Sequence, residues 1–377
     1  MMMLTIPSAD PMPLPGPLWL LKTLLMVVFF LHLLAMNCAL AGGLTVLFNA
    51  VRGRSERHPF SRRLAQELAP MLPVFVSFTV TLGVAALLFV QVIYGNLLYT
   101  SSILIGAAWL AVVPLVIMGY YGYYYFSNKL KQSYKASALT VGVSSLCFLG
   151  VAFVLVNNMS LMLTPEKWST MYRAHTNGFQ LNWSEPTLLA RYLHMLIGAF
   201  TVFTAVLAHL GVKKMKSAAD AEYGAWLVKR SSIVFALTTG VQFVTGTWFV
   251  MTMPKTVALT LFRDPVAGSV FGVSVILALV SMVLLLIGGT MPKPGAMVHA
   301  GFGCTLLTLG LMVGLRQMVR TAYLAPHFDP AGLAVSPQTG VIVLFLLTFV
   351  AGLVTVAWML VKVAKAGRVE VRGAGAD

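Results

Sequence analysis

Four histidines of this chain stand in long apolar stretches: His32 in FFLHLLAM, His194 in RYLHML, His209 in LAHLG and His299 in MVHAG. An imidazole in such surroundings has two uses. It can hydrogen-bond a neighbouring carbonyl or hydroxyl, or its neutral ring can ligate a metal. A buried polar ring with neither costs free energy. His58, His175 and His327 lie in polar segments instead.

The acids sharpen that choice. All eleven, Asp10, Glu56, Glu67, Glu166, Glu185, Asp220, Glu222, Asp264, Asp329, Glu370 and Asp377, fall outside the apolar stretches. Proton pumping, proton-coupled transport and oxygen reduction draw on buried carboxylates to relay protons, so their absence argues against all three. Several imidazoles in an acid-free apolar setting favour haem, whose iron takes neutral imidazole and whose macrocycle suits an apolar helix bundle.

The elements that must hold these residues follow from composition. Of 377 residues 58% are hydrophobic and 10% charged, against roughly 25% charged in soluble domains, and the mean hydropathy is +0.85. The chain reads as an all-α, polytopic membrane helix bundle, since helices satisfy their own backbone in lipid. The apolar runs, about 20 residues or longer, argue against a β-barrel built of roughly 10-residue alternating strands. Nine spans are expected, at 18–47, 71–95, 102–125, 137–157, 187–210, 232–252, 266–290, 295–318 and 338–362, within one integral-membrane domain over 1–377.

Charge gives the orientation. The segments 49–69, 126–136, 211–231, 291–294 and the tail from 362 hold 18 of the 26 Lys and Arg, with Arg52, Arg54, Arg57, Arg62 and Arg63 the densest group. Basic loops favour the cytoplasm, which puts the N-terminus outside and the C-terminus inside, as expected of a multi-pass protein of the cell inner membrane. The net charge of +15 is then explained by orientation and by contact with anionic lipid headgroups. Nucleic-acid binding would need basic and aromatic residues interleaved in a soluble domain, and there is none.

Cys38, Cys147 and Cys304 fall within spans, and neither CxxCH nor CxxC occurs, which excludes covalent c-type haem and gives no zinc or redox pair. The "CALAGG" at 38–43 faintly resembles a signal cleavage site, but the long apolar run and the arginine-rich loop after it fit a retained helix. The connection 157–187, with Trp168, Tyr172 and Trp183, is expected partly in the membrane interface, and "GYYGYYYF" (119–126) as an aromatic belt. Segment 319–337 reads as an ordered loop without regular structure.

Depth sorts the histidines. At about 1.5 Å per helical residue, His194 lies roughly 10 Å and His32 roughly 20 Å below the external surface. His299, a few residues in from the cytoplasmic end of the eighth span, can approach the depth of His32 but not of His194, and His209 lies at the cytoplasmic boundary. His32, His194 and His299 are therefore the candidate metal ligands, for one or two haems. Met251 and Met253, in "TWFVMTMP", lie near the depth of His194 and are candidate thioether ligands against a background of 21 methionines. Arg191, one turn outward from His194 on the same face, can pair with a haem propionate.

In order and spacing, several stretches resemble subunit I of the cytochrome bd quinol oxidases over nearly the whole chain. They are "FFLHLLAMNCALAGGLTVLFNAVRGR", "GVAALLFVQVIYGNLLYTS", "RYLHML", "VKRSSIVFALTTG" and "GLRQMVRTAYLAPHFDPAGLAVSP". The resemblance implies that His32 matches the haem ligand of the first helix and His194 the low-spin haem b ligand. It implies that Arg316 and Gln317 match the Arg-Gln pair of the family's Gly-Arg-Gln-Pro-Trp motif.

The departures are specific. The family's haem carboxylate three residues before that arginine is Val313 here. The third-helix glutamates that feed protons to the oxygen site have no counterpart in "SSILIGAAWLAVVPLVIMGYY". The methionine opposite the fifth-helix histidine falls near Val270, and the long quinol-binding loop is cut to "PKTVALTLFRDPVAG". The expectation is a haem-b-binding membrane electron-transfer subunit that does not reduce oxygen. It would exchange electrons with an external c-type cytochrome, a second membrane subunit or a quinone. The alternatives are a divergent quinol oxidase whose acids come from a partner subunit, and a haem-free scaffold or transporter.

Overall fold

The computed structural model describes residues 6–10, 12–129, 134–174 and 177–373; His175 and Asp377 lie outside them. The elements are α1 (Leu18–Arg52), α2 (Pro59–Leu68), α3 (Met71–Leu104), α4 (Gly106–Lys129), α5 (Tyr134–Met162), α6 (Trp168–Ala174), α7 (Thr187–Lys214), α8 (Ala221–Thr252), α9 (Lys255–Arg263), α10 (Pro265–Gly288), α11 (Gly295–Leu324) and α12 (Thr339–Gly373). Among the described residues nine helices are long and apolar enough to cross a membrane, with α2, α6 and α9 lying between them. The only β-type pairing among those residues is a bridge from Leu14 to Val335, with the Leu14 amide bonded to Ala334 O at 2.8 Å.

Several helices outrun the apolar cores that announce them. α3 continues to Leu104 and is separated from α4 by Ile105 alone, with a break in helical geometry at Tyr94, just before Gly95. α11 continues to Leu324, so the first residues of the expected 319–337 loop are helical. Arg320, Tyr323 and Leu324 on that extension are buried and give it a packing face. The short connection 254–264 folds as the amphipathic α9, which buries Val257 and Leu261, and Asp264 then caps α10 by accepting from the Ala267 amide at 2.8 Å.

α1 is the hub: it packs on α3, α5, α7 and α11, while α7 with α8, α10 with α11 and α4 with α5 form antiparallel hairpins. Between apolar helices in lipid, association rests on close packing and interhelical hydrogen bonds. α1 runs unbroken through "CALAGG", and a Cβ at Gly43 would overlap the Tyr123 hydroxyl, which bonds Ser145 at 3.1 Å. That glycine is what lets α1, α4 and α5 meet. α12 is peripheral, with no residue of its most apolar stretch buried.

Ion pairs fasten the two ends. At one, Arg63 on α2 bonds Glu67 (2.9 Å) and Asp220, and Lys214 on α7 bonds Glu67 (3.0 Å). The Asp220 and Glu67 carboxylates hold the Arg63 guanidinium above the usual arginine value. At the other end, Lys167 meets Glu185 at 2.7 Å, and the His327 ring nitrogen Nε2 lies 3.3 Å from a Glu166 oxygen. In the 157–187 connection, the Trp168 indole donates to Leu161 O at 3.0 Å and Trp183 packs on Phe153 at 5.1 Å.

Candidate functional site

His32 projects from α1 onto α3, where its Nδ1 lies 2.9 Å from Thr79 O. A backbone carbonyl only accepts, so Nδ1 carries the proton and Nε2 keeps its lone pair. The ring is seated against Gly83, one turn beyond Thr79, where a Cβ would stand 2.8 Å from Cε1.

His194 repeats the device between α7 and α8. Its Nδ1 lies 3.3 Å from the Thr245 hydroxyl, and the ring is seated on Gly246, where a Cβ would stand 3.0 Å from Cε1. The Thr245 hydroxyl also lies 3.1 Å from Val241 O and 3.3 Å from Gln242 O and Oε1, oxygens that only accept, so its single proton goes to one of them. It is then left to accept from His194, and Nε2 is again unprotonated. A protonated, anchored Nδ1 with a free Nε2 is the arrangement that metal-ligating histidines adopt.

Each imidazole shares an aromatic ring with an arginine. Phe29 lies 6.0 Å from the His32 ring and 4.3 Å from the Arg316 guanidinium. Phe249 lies 6.5 Å from the His194 ring and 4.8 Å from the Arg191 guanidinium. A third guanidinium, Arg320, is 3% exposed, lies 5.1 Å from the Tyr94 ring and donates to Gln317 Oε1 at 3.0 Å. Gln317 in turn donates to the Tyr94 hydroxyl at 2.8 Å, so α3 and α11 are tied through it. Arg316 lies within electrostatic reach of Arg191, Arg320 and His32.

This cluster lacks its anion. The acid within reach of Arg191 is Glu185, which is already engaged by Lys167 and by the Thr187 hydroxyl at 2.7 Å. Arg191 Nε and Arg320 Nη2 are enclosed with no hydrogen-bond partner, and the Tyr323 hydroxyl lies beside Arg191 and Thr187. Unpaired buried cations are expensive, and donors of this kind match a carboxylate or phosphate. Neutral imidazole Nε2 atoms beside unpaired guanidinium donors form a donor set that fits a haem: nitrogen for the iron, N–H groups for the propionates.

The remaining candidates lie elsewhere. His299 is paired with His209, Nδ1 to Nδ1 at 3.0 Å, near the ends of α11 and α7 remote from Arg320 and Arg191. Met251 is 78% exposed on the outside of α8, and Met253 is buried in the apolar cluster that includes Val257 and Leu261. Val270 packs at the edge of that cluster. Val313 lines an apolar groove of about 260 Å³ between α1 and α11, with Met26, Phe30, Leu31 and Gly310. Sequence reasoning missed Arg320, although it stands four residues after Arg316 on the same helical face of an apolar stretch. Tyr94, Tyr323, Phe29 and Phe249 gave no signal of their own.

Comparison with known proteins agrees with this architecture. No protein-family profile matches the chain, and no curated protein matches it. Among solved structures, a chain of the bd oxidase from Geobacillus thermodenitrificans superposes with a TM-score of 0.77 at 12% identity, covering 93% of this chain and 99% of that one. The chain therefore has a bd-oxidase-like fold: an all-α, multi-pass membrane bundle.

Proposed function

We propose that the chain is a haem-b-binding electron-transfer subunit of the cell inner membrane, with its N-terminus outside, and that it does not reduce oxygen. The observation that carries this is the pairing of two anchored imidazoles with a cluster of three guanidinium groups, two of which, Arg191 and Arg320, each keep an enclosed N–H without a partner. His32 and His194 would hold iron, and Arg191, Arg316 and Arg320 the propionates, with Gln317 positioning Arg320 through Tyr94. The bound group would supply one-electron transfer. The chain's own residues orient it, exclude water and balance its charge in a low-dielectric interior.

The absence of acids from the apolar stretches and the conversion of the 254–264 connection into the compact α9 both favour electron passage over quinol-driven oxygen chemistry. The partner would be an external c-type cytochrome, a second membrane subunit or a quinone. A pyridine haemochrome assay on purified protein is expected to give haem b, with reduced-minus-oxidised bands that weaken in His194→Ala. A colourless preparation would overturn the reading in favour of a haem-free scaffold. Quinol-dependent oxygen uptake would overturn it in favour of a divergent oxidase.

A further inference from the structure

The two remaining embedded histidines meet at the opposite end of the helices that carry the arginines. His209 lies five residues before the end of α7, and His299 is the fifth residue of α11. Their Nδ1 atoms are 3.0 Å apart and their ring centroids 4.7 Å apart. Phe302 flanks the His209 ring at 4.8 Å. His299 is exposed and His209 half-buried, so the pair is reachable from outside the bundle.

What these rings lack sets them apart from His32 and His194. Among the described residues neither is held by a carbonyl, hydroxyl or carboxylate; the hydrogen-bond partner of each is the other imidazole. One Nδ1 must donate and the other accept, which leaves both rings mutually oriented but weakly fixed. Two nitrogens bound about 2.0–2.1 Å from one ion, at angles between square-planar and tetrahedral, stand roughly 2.9–3.4 Å apart. The observed separation falls inside that range without any movement of the helices.

We infer that His209 and His299 form a bis-imidazole site for a divalent first-row transition ion, which clips α7 to α11 at their shared end. Both Nδ1 atoms ligate, and one ring moves its proton from Nδ1 to Nε2, so no proton leaves the pair. The exposed side of His299 leaves the remaining coordination positions open to ligands from outside the pair. Lys213 and Lys216 lie within electrostatic reach of His209 and oppose a cation. Their charge favours the ion with the greatest intrinsic affinity for imidazole, Cu(II), over weaker ones. The site is independent of the haem proposal: it shares helices with that cluster but none of its side chains.

The test is a Cu(II) titration of the full-length protein, purified without a polyhistidine tag and followed by electron paramagnetic resonance. One ion per chain with coupling to two nitrogens is expected. His209→Ala and His299→Ala should each weaken binding by at least about tenfold, since even outer-sphere losses cost 10–100-fold, and each should remove one nitrogen from the spectrum. A wild-type spectrum without two-nitrogen coupling overturns the inference without recourse to any variant. So does unchanged copper binding in both variants.

Discussion

Gly83 lies directly against the His32 imidazole, so close that a Cβ would stand 2.8 Å from Cε1 and 3.0 Å from Nδ1. Real Cβ contacts do not reach 2.8 Å, so Gly83→Ala forces the ring to shift, which lengthens and misaligns its bond to Thr79 O. Weakening that hydrogen bond costs up to about 1 kcal/mol, and the shifted ring no longer presents Nε2 in the same direction. Gly83→Ala is expected to lower the haem content and shift the reduced bands, and Gly246→Ala to do the same through His194. Gly95→Ala, whose new methyl would find its nearest neighbour at 3.5 Å, should leave the spectrum unchanged. Full haem occupancy with unshifted bands in both of the first two variants would refute the seating role.

Gln317 holds the Tyr94 hydroxyl and the Arg320 guanidinium at once. Gln317→Leu removes one partner from each and leaves Tyr94 and Arg320 only each other. Losing partners for buried polar groups costs about 1–3 kcal/mol each, so thermal unfolding should move down by several degrees. Gln317→Glu supplies an acceptor to Arg320 and a counter-charge to the cluster. It should recover most of the lost stability while weakening retention of an anionic ligand. Equal thermal midpoints for the Leu variant and the parent would show that the relay carries no stability.

The nine long helices were legible because hydropathy alone selects them. The helix ends were not. α3 and α11 run past their apolar cores because residues beyond those cores, Leu97, Leu98 and Leu104 on α3 and Arg320, Tyr323 and Leu324 on α11, are buried against the rest of the bundle, and no period in one segment announces another segment's side chain. The same limit shaped the site. His32 and His194 stood out as polar residues among apolar ones, and Arg191 as the neighbour of His194 by helical spacing. Depth along the span groups His299 with His32 but says nothing of azimuth; its ring meets His209. Phe29 and Phe249, each placed between an imidazole and a guanidinium, could not be told from ordinary packing residues in a chain with 22 phenylalanines.

Arg191, Arg316 and Arg320 should raise the reduction potential of any haem they surround, because positive charge favours the form that has gained an electron. A unit charge roughly 10 Å away at an effective dielectric near 20 contributes about 1.7 kcal/mol. Substitution of any one by Gln is therefore expected to lower the midpoint by tens of millivolts in a potentiometric titration. A double substitution should lower it further, though by less than the sum if the charges share counter-ions. A midpoint indifferent to all three would place the haem away from this cluster.

The Arg63 network at the basic end gives a prediction about pH with a definite sign. The Asp220 and Glu67 carboxylates raise the Arg63 guanidinium above its usual value, so the folded chain binds that proton more tightly than the unfolded one. A raised folded value gives a contribution that is complete below the unfolded value and is lost only as pH climbs through the folded one. For arginine that window opens above about pH 12. The Arg63 side chain is a third exposed, so each pair contributes at most about 1 kcal/mol. Arg63→Gln should lower the thermal midpoint by a small amount that stays the same between about pH 7 and pH 10. High salt should shrink the difference, since exposed pairs are screened. A difference between parent and variant that collapses within that range would mean that Arg63 acts through some group other than its own guanidinium.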